Sequence, residues 1–500
     1  MGSPAIGVSL LFSSLIGNYL LSSYTVFRLF GNFKKSNVHL IFYVASFVFV
    51  PFVFPIGYFL LWMDKLNSDL IGKYLESLQR HQDYEGRFLN FNRDKSWVPV
   101  FLRSKKKNFN KLVKYNQLAC YRYLTQGNSA QIIDNAKDCL FCLVQLIKKA
   151  KKFIHIEYYI FSEGYVFNYL IQLLEQKIKE GVEVRLIVDG WGNFFKISKK
   201  AQKRIKSSGI KYRIFNPLFT KGNELWWNFR NHNKLLVVDN QYALFGSCNV
   251  SDEYFNITDK FFPTSELSIS LEGEIVNSLN VLFAFHWGLI QPKKEEKELD
   301  MLLDSQHYFG FNHQNKGKLE LQLVPSSPLL EDRPIKTNLL NLILSAEQVI
   351  RISTPYFYPP KDILNALKFV SQIGVRVQII LPKEADLKDK VLRVHRKLLS
   401  SFASNNIEIY EYLGFNHEKL TIIDDEIVYF GTYNWDYRSL YLNFESSLLI
   451  RDKEMGRQMR VLFLKRLKNS HLIELTDCSY KNKVLPNIFT SVSKWCQLLA

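Results

Sequence analysis

The sequence predicts an α/β protein built twice over: two mixed-sheet α/β halves related by a pseudo-twofold axis, preceded by one or two transmembrane helices. Three observations predict it. His232, Lys234, Asp239, Gly246, Ser247 and Asn249 fit the pattern H-x-K-x4-D-x6-G-[ST]-x-N, and His417, Lys419, Asp424, Gly431, Thr432 and Asn434 repeat it position for position. Around each copy the same order of strand-like and helix-like segments recurs, as a duplication requires. Ahead of both lie two uncharged stretches, Ala5 to Val26 and Leu40 to Trp62.

Leu40 to Trp62 is about 23 residues long, enough to cross a hydrocarbon core, and Pro51 and Pro55 are tolerated in such spans. Ala5 to Val26 is weaker, with Asn18 and five serines; it is a first span or a cleaved signal. Met1 to Pro4 lacks a basic n-region, and Ile6 stands where myristoylation wants Ser or Thr, so two spans is the preferred count. The connector holds Arg28, Lys34 and Lys35 without an acid, whereas Lys65, Lys73 and Arg80 follow the second span among several acids. The positive-inside bias leans slightly toward a cytoplasmic connector and an external catalytic domain, and the side stays open. Residues 64–120 read as a juxtamembrane basic segment. Its Arg103, Lys105, Lys106, Lys107, Lys111 and Lys114 are either a solvated face or a hold on anionic headgroups at about 1 kcal/mol per charge.

The first half is expected over 121–291 and the second over 319–470, with the charged, poorly patterned 292–318 as linker. In the first, Phe153 to Phe161 reads as a strand, Val166 to Glu180 as a helix, and Val182 to Asp189 and Lys211 to Phe215 as strands. In the second, Val349 to Tyr358, Lys361 to Gln372, Val375 to Pro382 and Ile407 to Tyr412 supply the same series. The motif strands Lys234 to Asp239 and Lys419 to Asp424 come next, and final strands begin at Glu266 and Glu445. In residues 471–500, Ile488, Phe489, Val492, Trp495 and Leu499 fall at helical spacing, for core packing or a membrane contact.

On a strand, His and Lys two residues apart share a face, so both reach one pocket. The Gly then allows a tight turn that returns Ser247 or Thr432 and Asn249 or Asn434 toward the His. Two such sets facing each other give a nucleophile on one side of phosphorus and a proton donor on the other, as in-line displacement requires. Lys234, Lys419, Asn249 and Asn434 neutralise and hydrogen-bond the non-bridging oxygens, so no metal is called for. Each imidazole also needs an orienting acceptor on its other nitrogen, and Glu266 in the first half and Glu445 in the second supply one each. No G-x-x-x-x-G-K-[ST] loop is present, and exchanging one phosphodiester for another is nearly isoenergetic, so no cofactor is expected.

The chain has 500 residues, 47% of them hydrophobic, which excludes disorder. A net charge of +18 points to an anionic partner: nucleic acid, an acidic membrane surface or a phosphate-bearing substrate. Of the six cysteines only Cys139 and Cys142 are close, amid the apolar Leu140, Phe141, Leu143 and Leu146 of a buried helix, so packing is favoured over redox or metal chemistry.

These residues resemble the phospholipase D superfamily, whose hallmark is the paired HKD motif, and within it the bacterial cardiolipin synthases. Flanking words carry the finer likeness: Pro55-Ile56-Gly57-Tyr58, Glu157-Tyr158-Tyr159-Ile160, Gly181-Val182-Glu183-Val184-Arg185, Thr354-Pro355-Tyr356-Phe357, Asn228-Phe229-Arg230-Asn231-His232 and Arg438-Ser439-Leu440-Tyr441-Leu442-Asn443-Phe444-Glu445. The resemblance implies a duplicated phospholipase D-like fold and a bacterial inner-membrane enzyme. It implies a phosphohistidine and transfer of a phosphatidyl group between two phosphatidylglycerol molecules, releasing glycerol. By analogy His232 is the nucleophile and His417 the acid, although the two halves are too alike for the sequence to separate them. Candidate catalytic residues are His232, Lys234, Asp239, His417, Lys419 and Asp424, with the two aspartates looking more structural in the family. Ser247, Asn249, Glu266, Thr432, Asn434 and Glu445 support them. Two departures stand out: Asn233 where the family commonly has a basic residue, and Thr264-Ser265-Glu266 where it has Trp-Arg-Asp. The expected partners are phosphatidylglycerol, other anionic phospholipids and the membrane. A nuclease of the superfamily would leave the uncharged spans unexplained, a phospholipase D or phosphatidylserine synthase differs only in the acceptor, and an inactive scaffold need not keep both His-Lys pairs.

Overall fold

The apolar runs beside each motif become inner strands of a sheet buried on both faces. In the computed structural model the described residues are 107–218, 228–290, 302, 306–310, 313, 316–383 and 406–473. Both expected spans, the basic residues before 107 and the tail beyond 473 lie outside them. Among the described residues no helix is long and apolar enough to cross a membrane.

The chain enters through α1 (Lys107–Ala119), β1 (Leu124–Ile133), α2 (Ala136–Lys149), β2 (Phe153–Tyr158), α3 (Tyr165–Lys179), β3 (Glu183–Asp189), α4 (Lys199–Ser207) and β4 (Lys211–Phe215). Then come β5 (Arg230–Asn231), β6 (Lys234–Val238), β7 (Tyr242–Gly246), β8 (Thr264–Ser265), β9 (Ser268–Glu272) and α5 (Ile275–Leu289). The second half runs β10 (Leu319–Ser326), α6 (Pro334–Ser345), β11 (Val349–Ser353), β12 (Phe357–Tyr358), α7 (Lys361–Gln372), β13 (Arg376–Pro382) and β14 (Ile407–Tyr412). It closes with β15 (Phe415–Asn416), β16 (Leu420–Ile423), β17 (Ile427–Gly431), β18 (Trp435–Asp436), β19 (Asn443–Arg451), α8 (Lys453–Lys468) and β20 (Ser470–Leu472).

Strand order is β20-β14-β13-β11-β16-β17-β19-β10-β1-β9-β7-β6-β2-β3-β4 in one continuous mixed sheet. Outward from the antiparallel β10/β1 junction, β19-β17-β16-β11-β13-β14 and β9-β7-β6-β2-β3-β4 repeat one arrangement, which confirms the duplicated α/β fold. Strands β2, β3 and β4 pair in parallel, as do β11, β13 and β14, while the motif strands β6 and β16 join them antiparallel. Caps set helix starts where the sequence offers them: Asn135 Oδ1 accepts the Asp138 N–H at 2.9 Å, and Asp452 Oδ1 accepts that of Met455 at 2.8 Å.

Three segments differ from expectation. Helix α1 falls in the stretch read as juxtamembrane, yet Phe109, Leu112 and Val113, at i, i+3 and i+4, belong to the second half's core, while Lys111 and Lys114 face water. Asn116 fixes it there, donating to Gln322 Oε1 and Asn338 Oδ1 at 3.0 Å each. The linker is anchored too: Tyr308 is buried, its hydroxyl accepts from Arg185 at 2.8 Å, and its carbonyl accepts from Asn280 at 3.0 Å. Helix α5, which shows no apolar stripe in the sequence, is buried from Ile275 to Gly288, and its Asn280 and His286 are satisfied by Tyr308 O and Glu157.

Candidate active site

Each motif folds as a short cross-half strand, a histidine, and an antiparallel hairpin. Asp239 and Asn240, like Asp424 and Asp425, take φ between 52° and 55°, the two left-handed positions of a type I′ turn closed by Gln241 N–H to Val238 O (2.9 Å) and Glu426 N–H to Ile423 O (3.1 Å). The Asp239 carboxylate accepts the Lys151, Lys152 and Phe153 N–H groups at 2.7–2.8 Å, and Asp424 accepts those of Glu347, Gln348 and Val349. The motif aspartates therefore tie the hairpin to the start of β2 in one half and of β11 in the other. Both were candidate catalytic residues; their carboxylates serve backbone donors at the opposite end of the motif strand from the histidine.

The glycines also work differently from expectation. Neither Gly246 nor Gly431 has positive φ, so neither makes a turn. Both end strands that press on a neighbour: a Cβ at Gly246 would lie 2.6 Å from Leu267 O, and one at Gly431 would lie 2.2 Å from Ser446 O. Ser247 and Thr432 then reach the glutamates rather than the imidazoles. Ser247 Oγ bonds Glu266, and Thr432 Oγ1 donates to Glu445 Oε2 at 2.6 Å.

The decisive feature is an exchange between halves. Short strand β5 pairs in parallel with the start of β19, so His232 N–H donates to Phe444 O at 2.9 Å; β15 pairs with β8, and His417 N–H donates to Ser265 O at 2.9 Å. The residue after each acceptor is the glutamate. His232 Nδ1 lies 3.0 Å from Glu445, and His417 Nδ1 lies 2.8 Å from Glu266, so each imidazole takes its carboxylate from the other half. Sequence reasoning found both glutamates and missed that they cross.

Lys234 Nζ donates to His232 O at 2.6 Å and lies 5.4 Å from the Tyr159 ring, and Lys419 Nζ donates to His417 O at 2.8 Å. Tyr159 packs edge-on against the His232 ring at 4.8 Å between centroids, and Tyr254 lies against His417 at 4.9 Å. Asn249 Oδ1 accepts the Ile160 N–H at 3.4 Å. The Asn434 N–H donates to Ser439 Oγ at 3.0 Å, while its buried Oδ1 has no partner among the described residues.

All four basic side chains are buried. Burial lowers His232 to about 4, with Glu445 partly opposing and Lys234 adding to the fall. Burial also drives His417 well below the usual histidine range, helped by Lys419, Lys234 and His232. Lys234 sits well below its ordinary value through burial and the charge of Lys419, and burial brings Lys419 to about 8. The glutamates part company. Glu266, holding Ser247 and His417, is pushed well up by burial. At Glu445 burial is outweighed by His232, Lys234 and Thr432, and the carboxyl ends below its ordinary value. It also accepts from Ser439 at 2.8 Å and Asn443 at 3.1 Å, residues with no counterpart among the bonds to Glu266.

A second polar layer lies beneath each histidine. Under His232, Glu157 accepts from Asn231 and bonds His286 Nδ1 at 2.7 Å. Under His417, Glu418 takes Arg466 (2.7 Å), Ser265 (2.6 Å) and Ser353 (3.1 Å). Asn233, which departs from the family pattern, donates to Phe444 O at 3.3 Å and accepts from Ser446.

A family model described as cardiolipin synthase, PLD-like domain matches the chain twice, over residues 143–261 and 339–467. A cardiolipin synthase of Clostridium perfringens strain SM101 is 31% identical over 403 residues, 79% of this chain and 83% of that protein. The chain belongs to the cardiolipin synthase family of the phospholipase D superfamily. Cardiolipin synthase 2 of Staphylococcus epidermidis, a further member, is 29% identical over 84% of this chain and 81% of its own length. In solved structures the family fold meets that of a phosphatidylserine synthase from Haemophilus influenzae, with a TM-score of 0.54 and 15% identity over 74% of this chain and 93% of the other.

Proposed function

We propose that this protein is a phosphatidyltransferase that joins two phosphatidylglycerol molecules into cardiolipin and releases glycerol, through a phosphohistidine on His232. The observation that carries the reading is the crossed pairing itself: each imidazole is held at Nδ1 by a glutamate from the other half, which leaves Nε2 of both rings for transfer. Glu445 stays ionised and accepts the His232 Nδ1–H, which leaves the Nε2 lone pair bare for attack. Glu266 lies 2.8 Å from His417 Nδ1 and shares a proton with it there, which places the other ring hydrogen on Nε2, ready to leave.

The chemistry balances with these groups. His232 Nε2 attacks phosphorus as the bond to the headgroup glycerol breaks. The His417 Nε2 hydrogen passes to the departing oxygen, and the proton shared with Glu266 stays on Nδ1. In the second half-reaction a hydroxyl of another phosphatidylglycerol gives its proton to His417 Nε2 and attacks phosphorus, freeing His232. Lys234 and Lys419 meet the non-bridging oxygens, and an anionic phosphodiester between them restores the charge that their mutual repulsion opposes. The uncharged stretches 5–26 and 40–62 support a membrane-anchored enzyme, and its bacterial relatives support a bacterial membrane.

The test is mass spectrometry of the lipids made when purified protein meets phosphatidylglycerol vesicles, with and without phosphatidylethanolamine. Cardiolipin with free glycerol is expected. Phosphatidic acid alone would make water the acceptor, and full turnover by a folded His232→Ala or His417→Ala protein would sink the two-histidine mechanism.

A further inference from the structure

The loop after β3 carries aromatic side chains into solvent while its backbone is fastened tightly. Asp189 Oδ1 accepts the Trp191 and Gly192 N–H groups at 2.8 and 3.0 Å. Asn193 Nδ2 donates to Tyr159 O at 2.8 Å and Asp189 O at 2.9 Å, and its Oδ1 accepts the Phe161 N–H at 2.7 Å. So closely does the loop lie on the chain leaving β2 that a Cβ at Gly192 would fall 2.2 Å from Tyr159 O. Held this way, the loop leaves its rings outside: Trp191 is 48% exposed and Phe195 94%. The neighbouring loop is joined to it by Glu163 N–H to Lys196 O at 2.9 Å, and two residues on stands Tyr165, 79% exposed.

This surface borders the reaction centre. Tyr159, whose carbonyl anchors the loop, has its ring on His232, and Asp189 Oδ2 accepts the N–H of Asn231, the residue before His232 at 2.9 Å. Next along the chain is α4, KKAQKRIKS, where Lys199, Lys200, Lys203 and Lys206 are exposed and no acid intervenes. Exposed aromatics beside clustered lysines fit the interface of an anionic bilayer, where rings enter the headgroup boundary and lysines meet phosphates.

We propose that the Trp191–Phe195 loop, with Tyr165 at the start of α3, is a membrane-docking wedge that seats the mouth of the active site on an anionic phospholipid surface. The wedge holds His232 at the depth of the headgroup phosphates, so that phosphatidylglycerol reaches it without leaving the bilayer. This rests on the proposed function, and the experiment separates the two.

Full-length protein and a Trp191→Ala/Phe195→Ala variant are reconstituted in phosphatidylcholine vesicles of increasing phosphatidylglycerol content. Both are also assayed in detergent with dihexanoyl phosphatidylglycerol kept monomeric. The variant should lose about tenfold or more in kcat/KM at the vesicle surface, the scale of burying one or two aromatic rings, and stay within about twofold on the monomer. In parallel, a Phe195→Trp protein should show fluorescence quenching by brominated phospholipid beyond that of the unsubstituted chain. Equal losses on both substrates, no loss on vesicles, or no added quenching would overturn the wedge. An unsubstituted enzyme that makes no cardiolipin would instead count against the function, leaving the quenching to decide the docking.

Discussion

Replacing Glu445 by Gln keeps the shape of the His232 pair and removes its charge. With Nδ1 3.0 Å from the carboxylate, a positive charge developing on the imidazole during attack is stabilised by about 5 kcal/mol at an effective dielectric of about 20. A glutamine carbonyl returns about 1–2 kcal/mol of that as a neutral hydrogen bond. The remaining loss of about 3–4 kcal/mol corresponds to a rate lower by about 10²–10³. Because the pair is crossed, the loss must appear in the half-reaction that forms the phosphohistidine, read by quenched-flow trapping of labelled enzyme and by cardiolipin yield. In a double-mutant cycle on thermal stability, Glu445→Gln should couple to His232→Ala by about 1–2 kcal/mol and to His417→Ala by less than about 0.5 kcal/mol. Turnover within twofold of the unsubstituted enzyme, or stronger coupling to His417, would refute the reasoning.

Turnover against pH should be bell-shaped, rising as His232 loses its proton with a midpoint near 4 and falling as Lys419 loses its charge near 8, checked by initial rates of cardiolipin formation. Stability follows the same histidine: its folded value lies below the ordinary 6.5, so the unfolded chain binds more protons between pH 6.5 and 4, and the melting temperature should fall as pH drops through that window. Asp239→Ala removes an acceptor from three backbone N–H groups and should cost about 2–4 kcal/mol in denaturant unfolding, with specific activity of the folded fraction kept within about fivefold. Glu418→Gln leaves Arg466 buried without its counter-charge and should destabilise by about 3–5 kcal/mol, whereas Glu418→Gln/Arg466→Met should recover more than half of that by the same measurement.

Much of this arrangement was legible because duplication repeats every local signal. Strand Lys211–Phe215, helix Lys361–Gln372 and strand Ile407–Tyr412 stand where hydrophobic periodicity puts them, and both glutamates were found because each opens a final apolar strand of its half. What stayed hidden is what duplication makes ambiguous. Glu266 and Glu445 are interchangeable in pattern, and only the pairing of β5 with β19 and β15 with β8, each two residues long and more than 150 residues apart in sequence, decides which histidine each serves. Two-residue strands leave no periodicity to read. Helix α5 was missed for a different reason: buried on every side, it has no apolar stripe set against a polar face. The roles of Gly246 and Gly431 depend on how closely β9 and β19 approach, a distance that a motif does not encode.

The exchange of glutamates makes the two halves hostages of one another. Chain cut in the segment around Gly310 would yield two fragments, each carrying a histidine without its acid and an acid without its histidine, and each exposing one edge of the β1/β10 seam. Neither fragment would hold a complete catalytic pair. Mixed together, they would restore both pairs at once or neither, because a single zippering of that seam brings both crossings into register.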